Sequence, residues 1–183
     1  ERIGVDWLGV ATVPEGIQLR QAGLTLPILK FSPAFPQEMA AAVEQRITLA
    51  VCEREIIHLM QQTCHNMGTS TDVHLKIDTG MGRIGVVPAD AAAMAVFIER
   101  ECPNLNLSGA FTHLPVSDTA DIDYTKRQIV NFGTIIDSIQ SAISRKIPLV
   151  HCANSGAVLA HPEGWFDMVR PGIMIYGFYP GEE

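Results

Sequence analysis

Apolar residues recur along this chain in two rhythms. Short runs rich in Val, Ile, Leu and aromatic residues predict strands at Trp7–Ala11, Pro27–Phe31, Thr48–Val51, Val73–Asp78, Leu107–Thr112, Leu149–Ala153 and Met168–Arg170. Longer stretches between them carry helical spacing. One opens at Pro14 and closes at Gly23, a glycine suited to a helix end. Others cover Phe35–Gln45, Cys52–Cys64 and Ala89–Glu101. The longest, Asp123–Arg145, repeats Ile129, Phe132, Ile136, Ile139 and Ile143 every three or four residues. A short helix over Ser155–Leu159 is closed by Pro162-Glu163-Gly164. Strands alternating with helices predict βα units and a parallel sheet. An open doubly wound sheet and a closed (β/α)8 barrel both fit that alternation. A full barrel takes about 250 residues, so about seven units here fit an incomplete (β/α)8 TIM barrel lacking one unit.

Composition narrows the classes of function. The 183 residues are 47% hydrophobic and 18% charged, enough apolar material for a sizeable core. The longest apolar run falls short of the roughly 20 residues that a membrane span needs. The net charge of −7 argues against nucleic acid or an anionic membrane surface as the main partner. Cys52, Cys64, Cys102 and Cys152 show no metal-binding spacing and read as reduced thiols of a cytoplasmic protein. The chain opens at Glu1-Arg2 rather than at a methionine, which fits a piece of a longer gene.

Residues 74–86, HLKIDTGMGRIGV, hold two false leads. Gly80, Gly82 and Gly85 spell the dinucleotide pattern G-x-G-x-x-G. That pattern needs a helix opening on the glycines, and here Val86-Val87-Pro88 follows instead. Asp78-Thr79-Gly80 matches the aspartic-protease triplet, but a second triplet and an all-β pattern are missing. Alternation along the strand says more. Val73, Leu75 and Ile77 share one face; His74, Lys76 and Asp78 share the other. In a barrel the polar face looks inward, and an inward lysine must be paired or chemically altered. The glycine turn brings Arg83 to whatever binds at the strand's end.

Other polar groups fall at equivalent places. His113 follows one predicted strand, Asn154 and Ser155 the next, and Arg170 the last. Parallel α/β folds build their active sites at such carboxyl ends. Asn154-Ser155 and Gly172-Ile173 follow the last two strands, where barrels bind phosphate through backbone N–H groups and a hydroxyl. A phosphate-bearing cofactor is the expectation.

With these residues in place, the chain resembles the barrel domain of the alanine racemase family, over HLKIDTGMGRIGV (74–86), GAFTHL (109–114), HCANSGA (151–157) and VRPGIMIYG (169–177). Weaker agreement runs through residues 6–23 and 27–30. The resemblance implies a pyridoxal-phosphate-dependent isomerase that interconverts L- and D-alanine by two-base proton transfer and supplies D-alanine for peptidoglycan. It implies that Arg170 bonds the cofactor's pyridine nitrogen, that His113 supports Arg170, and that Ser155, Gly172 and Ile173 bind the phosphate beside Asn154. It further implies that Arg83 reaches the phenolic oxygen and that Lys76 is carbamylated. The family's Schiff-base lysine sits in a motif like VKANAYGHG, which is not found here; Lys30, Lys76, Lys126 and Lys146 lie in other contexts. Its second base, a tyrosine, belongs to a C-terminal β-domain, and Tyr176 does not match it. The expected organisation is therefore a partial cofactor-binding barrel over 1–178, with 179–183 starting the connection to that second domain. The isolated piece is expected to be inactive and the full-length protein a cytoplasmic homodimer with a small amino-acid substrate. Alternatives are a serine, lysine or broad-specificity racemase of the same fold, and a non-catalytic barrel that carries the same cofactor.

Overall fold

The computed structural model describes residues 4–181. The end of the 179–183 connection, residues 182–183, and the opening Glu1-Arg2 lie outside the described residues. Strands and helices alternate as β1 (Leu8–Val10), α1 (Val13–Gln21), β2 (Ile28–Lys30), α2 (Pro36–Glu44), β3 (Ile47–Val51), α3 (Arg54–Asn66), β4 (Thr71–Lys76), α4 (Ala91–Glu101), β5 (Leu105–Phe111), α5 (Ile122–Ile143), β6 (Leu149–His151) and α6 (Ser155–Ala160). The sheet runs in chain order, β1-β2-β3-β4-β5-β6. The described strand pairs are parallel. A doubly wound sheet reverses its order at a switch point; this sheet does not, which favours the barrel reading.

The chain forms two compact units. The first holds the residues up to Leu75 together with Phe97–Ser108. Its helices start on local chemistry. Thr12 Oγ1 accepts the Glu15 N–H while Glu15 Oε2 accepts the Ala11 and Thr12 N–H groups, a capping box that opens α1. The guanidinium of Arg20, in the last turn of α1, donates to the carbonyls of Leu24, Leu26, Gln45 and Arg46. Gln61 of α3 and Asn104 exchange two bonds of 2.8 Å each. Ile28, Leu29, Ile47, Leu49, Ile57 and Met60 form the buried core.

The second unit holds Lys76–Val96 and the residues from Gly109 onward. Its frame is α5, which buries Ile129, Phe132, Ile135, Ile136 and Ile139 and ends at Ser144 in the left-handed conformation. Four of these five carry the spacing read from sequence, so the apolar stripe predicted the buried face.

One predicted strand does not form. Met168–Arg170 lies beside β6, with Asp167 N–H donating to Val150 O and Arg170 N–H to Ala153 O. Between them the ladder is broken, because the Val150 N–H goes to the Asp167 carboxylate at 2.9 Å. Pro171 then supplies no N–H to extend it. The described residues therefore hold six strands and not the seven expected, with all six helices in place.

Candidate functional site

The chemistry-bearing residues gather in the second unit, and β4, β5 and β6 deliver them. Lys76 ends β4 and is buried. Its Nζ lies 5.4 Å from the centre of the Phe111 ring at the end of β5. The Arg170 guanidinium lies 5.4 Å from the same ring, and the His151 imidazole stacks on it at 4.8 Å and 5°. Two cations thus approach one aromatic ring, within the range where a ring attracts positive charge.

Arg170 is held from three directions. Its Nη2 donates to Thr112 O at 2.8 Å and to Cys152 O at 3.1 Å, and its Nη1 meets His151 Nδ1 at 2.6 Å. A guanidinium only donates, so His151 Nδ1 accepts and the ring's proton sits on Nε2. Burial lowers the Arg170 pKa to about 10, which leaves the side chain cationic at neutral pH. The nearby Cys152 thiol donates to Gly164 O, and burial pushes it up to about 12.

His113 is half-buried. Burial first, then the positive charges of Arg170, Arg83 and Lys76, lower its pKa to about 4. At neutral pH it is an uncharged imidazole in a cationic neighbourhood. The histidine bonded to Arg170 is His151, which sequence reasoning left inside its strand; His113 feels Arg170 as charge. The signal for His151 was available, because a polar ring on a short buried strand needs a partner as much as Lys76 does.

Asn154 and Ser155 open α6. Asn154 Oδ1 accepts from Ala157 N–H and from Ser117 Oγ, at 3.1 and 2.6 Å, and its Nδ2 donates to Leu114 O at 2.8 Å. Both ends of that amide are engaged by the protein, so Asn154 ties the 114–117 turn to α6. Ser155 Oγ accepts from Gly172 N–H at 2.8 Å and Met174 N–H at 3.4 Å. A hydroxyl has two acceptor sites and one hydrogen. With both acceptor sites occupied, Ser155 is set to donate, which suits a ligand made of acceptors.

His113, Asn154, Ser155, Arg170, Gly172 and Ile173 line one open cleft of about 250 Å³, together with Asp118, Gly156 and Pro180. Six of the predicted residues therefore meet in one place. Arg83 and Lys76 are not among the cleft's lining and act on His113 through charge. Asp118 and Pro180 were not predicted as site residues; Asp118 sits in a turn and Pro180 in irregular chain, where strand-end logic does not reach. The lining offers a cation, a neutral imidazole and a donor hydroxyl against one carboxylate. It can hold an anionic group at the Ser155 end and offer a charged donor to an acceptor atom near Arg170.

Residues 1–180 match the family model described as alanine racemase, N-terminal domain. An alanine racemase of Cutibacterium acnes is 42% identical over 96% of this chain and 46% of its own length. One from Methanococcus maripaludis is 37% identical over 98% of this chain and 48% of its own. Among solved structures, an alanine racemase of Clostridium difficile 630 in complex with cycloserine aligns with a TM-score of 0.94 at 34% identity, covering 98% of this chain and 49% of that one. An alanine racemase of Bacillus anthracis with bound L-Ala-P aligns at 0.89 and 30%, covering 98% and 46%. The chain spans about half the length of the curated relatives it matches. These likenesses bear out the incomplete (β/α)8 barrel expected from sequence.

Proposed function

We propose a function from this premise: the chain belongs to the alanine racemase family, of which it matches the N-terminal domain. It forms the cofactor-holding part of a pyridoxal-phosphate-dependent alanine racemase that converts L-alanine to D-alanine. One observation carries the reading: Arg170, His113 and the donor hydroxyl of Ser155 line a single cleft. The residues fit the cofactor. The Ser155 hydroxyl and the Ile173 backbone, with Gly172 fixed beside them by its bond to Ser155 Oγ, suit its phosphate, and Arg170 with His113 suits its ring. The bound cofactor supplies an aldehyde that condenses with an amino group and a ring that withdraws electrons from the α-carbon.

This chain's residues hold that group and tune it. Arg170 presents a hydrogen bond without surrendering its proton, so it keeps an acceptor nitrogen unprotonated and limits how much negative charge the ring draws away. That favours simple loss and return of one proton over side reactions. His113 stays neutral and does not compete for that proton. Arg83 would reach in toward the phenolic oxygen, and carbamylation of Lys76 would exchange its positive charge for a negative one that orients Arg83; burial and the Arg170 charge then remain to keep His113 neutral. Lys126 and Lys146 are exposed, and Lys30 is bonded to its own loop. The lysine and tyrosine that move the proton therefore belong to other parts of the full-length protein, with 1–178 as partial barrel and 179–183 leading toward a further domain. The full-length protein works as a cytoplasmic homodimer. No described helix is long and apolar enough to cross a membrane.

The test is made on the full-length protein. Addition of pyridoxal phosphate is expected to produce a visible absorbance band retained through gel filtration, and L-alanine is expected to give D-alanine. Colour without turnover would reduce the function to holding the cofactor. Turnover of serine or lysine in place of alanine would change the substrate.

A further inference from the structure

The Asp78-Thr79-Gly80 triplet and the three glycines have no part in the function above, yet the structure gives them a joint one. After Lys76 the chain leaves the sheet and returns at Val86. Asp78 N–H donates to Val86 O and Val86 N–H to Lys76 O, both at 2.9 Å, and Ile77 pairs with Val86 in an isolated bridge. The excursion between these points is a loop closed at its base, and Arg83 rides on it. Inside the loop, Asp78 Oδ1 accepts from Gly80 N–H at 2.9 Å and Gly82 N–H at 3.1 Å, and Oδ2 accepts from Arg83 N–H at 3.0 Å. Gly80, Gly82 and Gly85 take φ of 138°, 70° and 149°, values that L side chains rarely adopt. Successive amides turned inward in this way make an anion-binding concavity. Here the anion is the protein's own carboxylate. From outside, Tyr124 Oη of α5 donates to Gly80 O at 2.9 Å.

We propose that Asp78 is a positioning residue: its carboxylate fills the glycine nest where a phosphate would sit in a nucleotide-binding loop, and so fixes Arg83 at the carboxyl end of β4. The inference rests on the racemase reading for its purpose, but not for its test. A carboxylate that accepts three backbone N–H groups favours its charged form. Burial pushes the Asp78 carboxyl up, the N–H groups of Gly80, Gly82, Arg83 and Met81 push it down, and the net shift is downward. The nest therefore holds a charged carboxylate at neutral pH. Its effect on the site passes through Arg83, whose charge helps keep His113 neutral beside Lys76 and Arg170. Asp118 in the cleft, and His151 and the Cys152 thiol beside Arg170, are further titratable groups of that neighbourhood.

The two routes by which Asp78 could influence His113 have opposite signs. Removing a negative charge directly makes a nearby imidazole harder to protonate and lowers its pKa. Releasing Arg83 removes a positive charge and raises it. Asp78→Ala and the milder Asp78→Asn, in cofactor-free full-length protein, separate them. Hydrogen–deuterium exchange of the 79–86 peptide reads the loop, and histidine-selective NMR, assigned with His113→Gln, reads the titration. We expect loop exchange at least tenfold faster and a His113 midpoint that moves upward from about 4 toward 6.5, as it should in Arg83→Met. Asp78→Asn keeps one acceptor oxygen and should show the same direction at smaller size, which covers the case where the alanine variant fails to fold. A midpoint that stays or falls while the loop loosens overturns the positioning role. Unchanged exchange overturns the nest itself. Neither outcome touches the cofactor reading, which fails only if the cleft does not bind pyridoxal phosphate.

Discussion

Lys30 in the first unit and Arg170 in the second are both cations at the carboxyl end of a strand or strand-like segment, and the molecule uses them differently. Lys30 is 4% exposed and gives its ammonium to Pro33 O at 2.8 Å, Ser32 Oγ at 3.0 Å and Ser32 O at 3.1 Å. Three hydrogens meet three acceptors of the adjoining loop. Burial lowers its pKa, with Glu38 and Glu15 pulling the other way. Arg170 is also bound to two carbonyls, but a histidine fixes it as well and it lines a cleft with His113 and Ser155. A charged residue at a strand end is therefore not a functional signal alone. It becomes one when its neighbours leave room for something else and other donors face the same room.

The strongest way to break this contrast is Arg170→Glu in the full-length protein. Loss of a positioned donor costs roughly 10²–10³-fold in turnover, so L-alanine racemisation should fall by about that factor while transamination rises relative to it. An unchanged ratio of the two products would remove Arg170 from the chemistry. Next comes packing. At Gly156 a Cβ would sit 2.9 Å from Asp118 N and from the Ser117 carbonyl, which are backbone and cannot move aside. Gly156→Ala should cost about 1–3 kcal/mol. At Gly16 of the first unit the obstacle is the tip of the Ile47 side chain. There the helix preference for alanine, about 1 kcal/mol, should offset most of the crowding. Urea midpoints of the two variants should differ clearly; equal shifts would mean that the turn at Ser117-Asp118 is free to yield.

Acid comes third. His113 ordinarily titrates near 6.5 and in the folded protein near 4. Between those values the unfolded chain binds a proton that the folded chain refuses. Stability should therefore fall as pH drops from about 6.5 to about 4 and level off below. Allowing for the part of the ring open to solvent, the loss is about 1–2 kcal/mol. Denaturant midpoints measured at pH 7.5 and pH 4.5 check this, and His113→Gln should flatten the difference. The smallest effect is expected for Lys30→Met. Replacing a buried charge by an apolar chain of similar length is often near neutral, so stability should stay within about 1 kcal/mol and pyridoxal-phosphate affinity should not change. A tenfold weaker affinity would move Lys30 into the site and erase the contrast.

Much of this was legible from the letters. The stripe through Ile129, Phe132, Ile136 and Ile139 gave the buried face of α5 because helical periodicity is local. Ser155 and His113 could be picked out because they follow the carboxyl ends of neighbouring parallel strands, and Arg170 because its segment runs beside β6 without joining it. What sequence missed depends on particular partners. Asp167 turns its carboxylate onto Val150 N–H and so breaks a ladder that Met168–Arg170 was read as joining. His151 and Phe111 stack only because β5 and β6 are neighbours in register, Phe111 against His151. Asn154 lines the cleft where it was expected, and its amide is also engaged by Leu114, Ser117 and Ala157, contacts that no spacing rule encodes.

The glycines of the 79–86 loop look interchangeable as a written motif, and their tolerance to substitution should differ at each place. A methyl group at Gly80 would run into the Tyr124 hydroxyl, and one at Gly85 would lie 2.5 Å from Asp78 N. At Gly82 nothing stands within 4 Å and only the torsion of 70° objects, a torsion that asparagine accepts more readily than most. A saturation library scored on this stretch should show two closed doors and one left ajar.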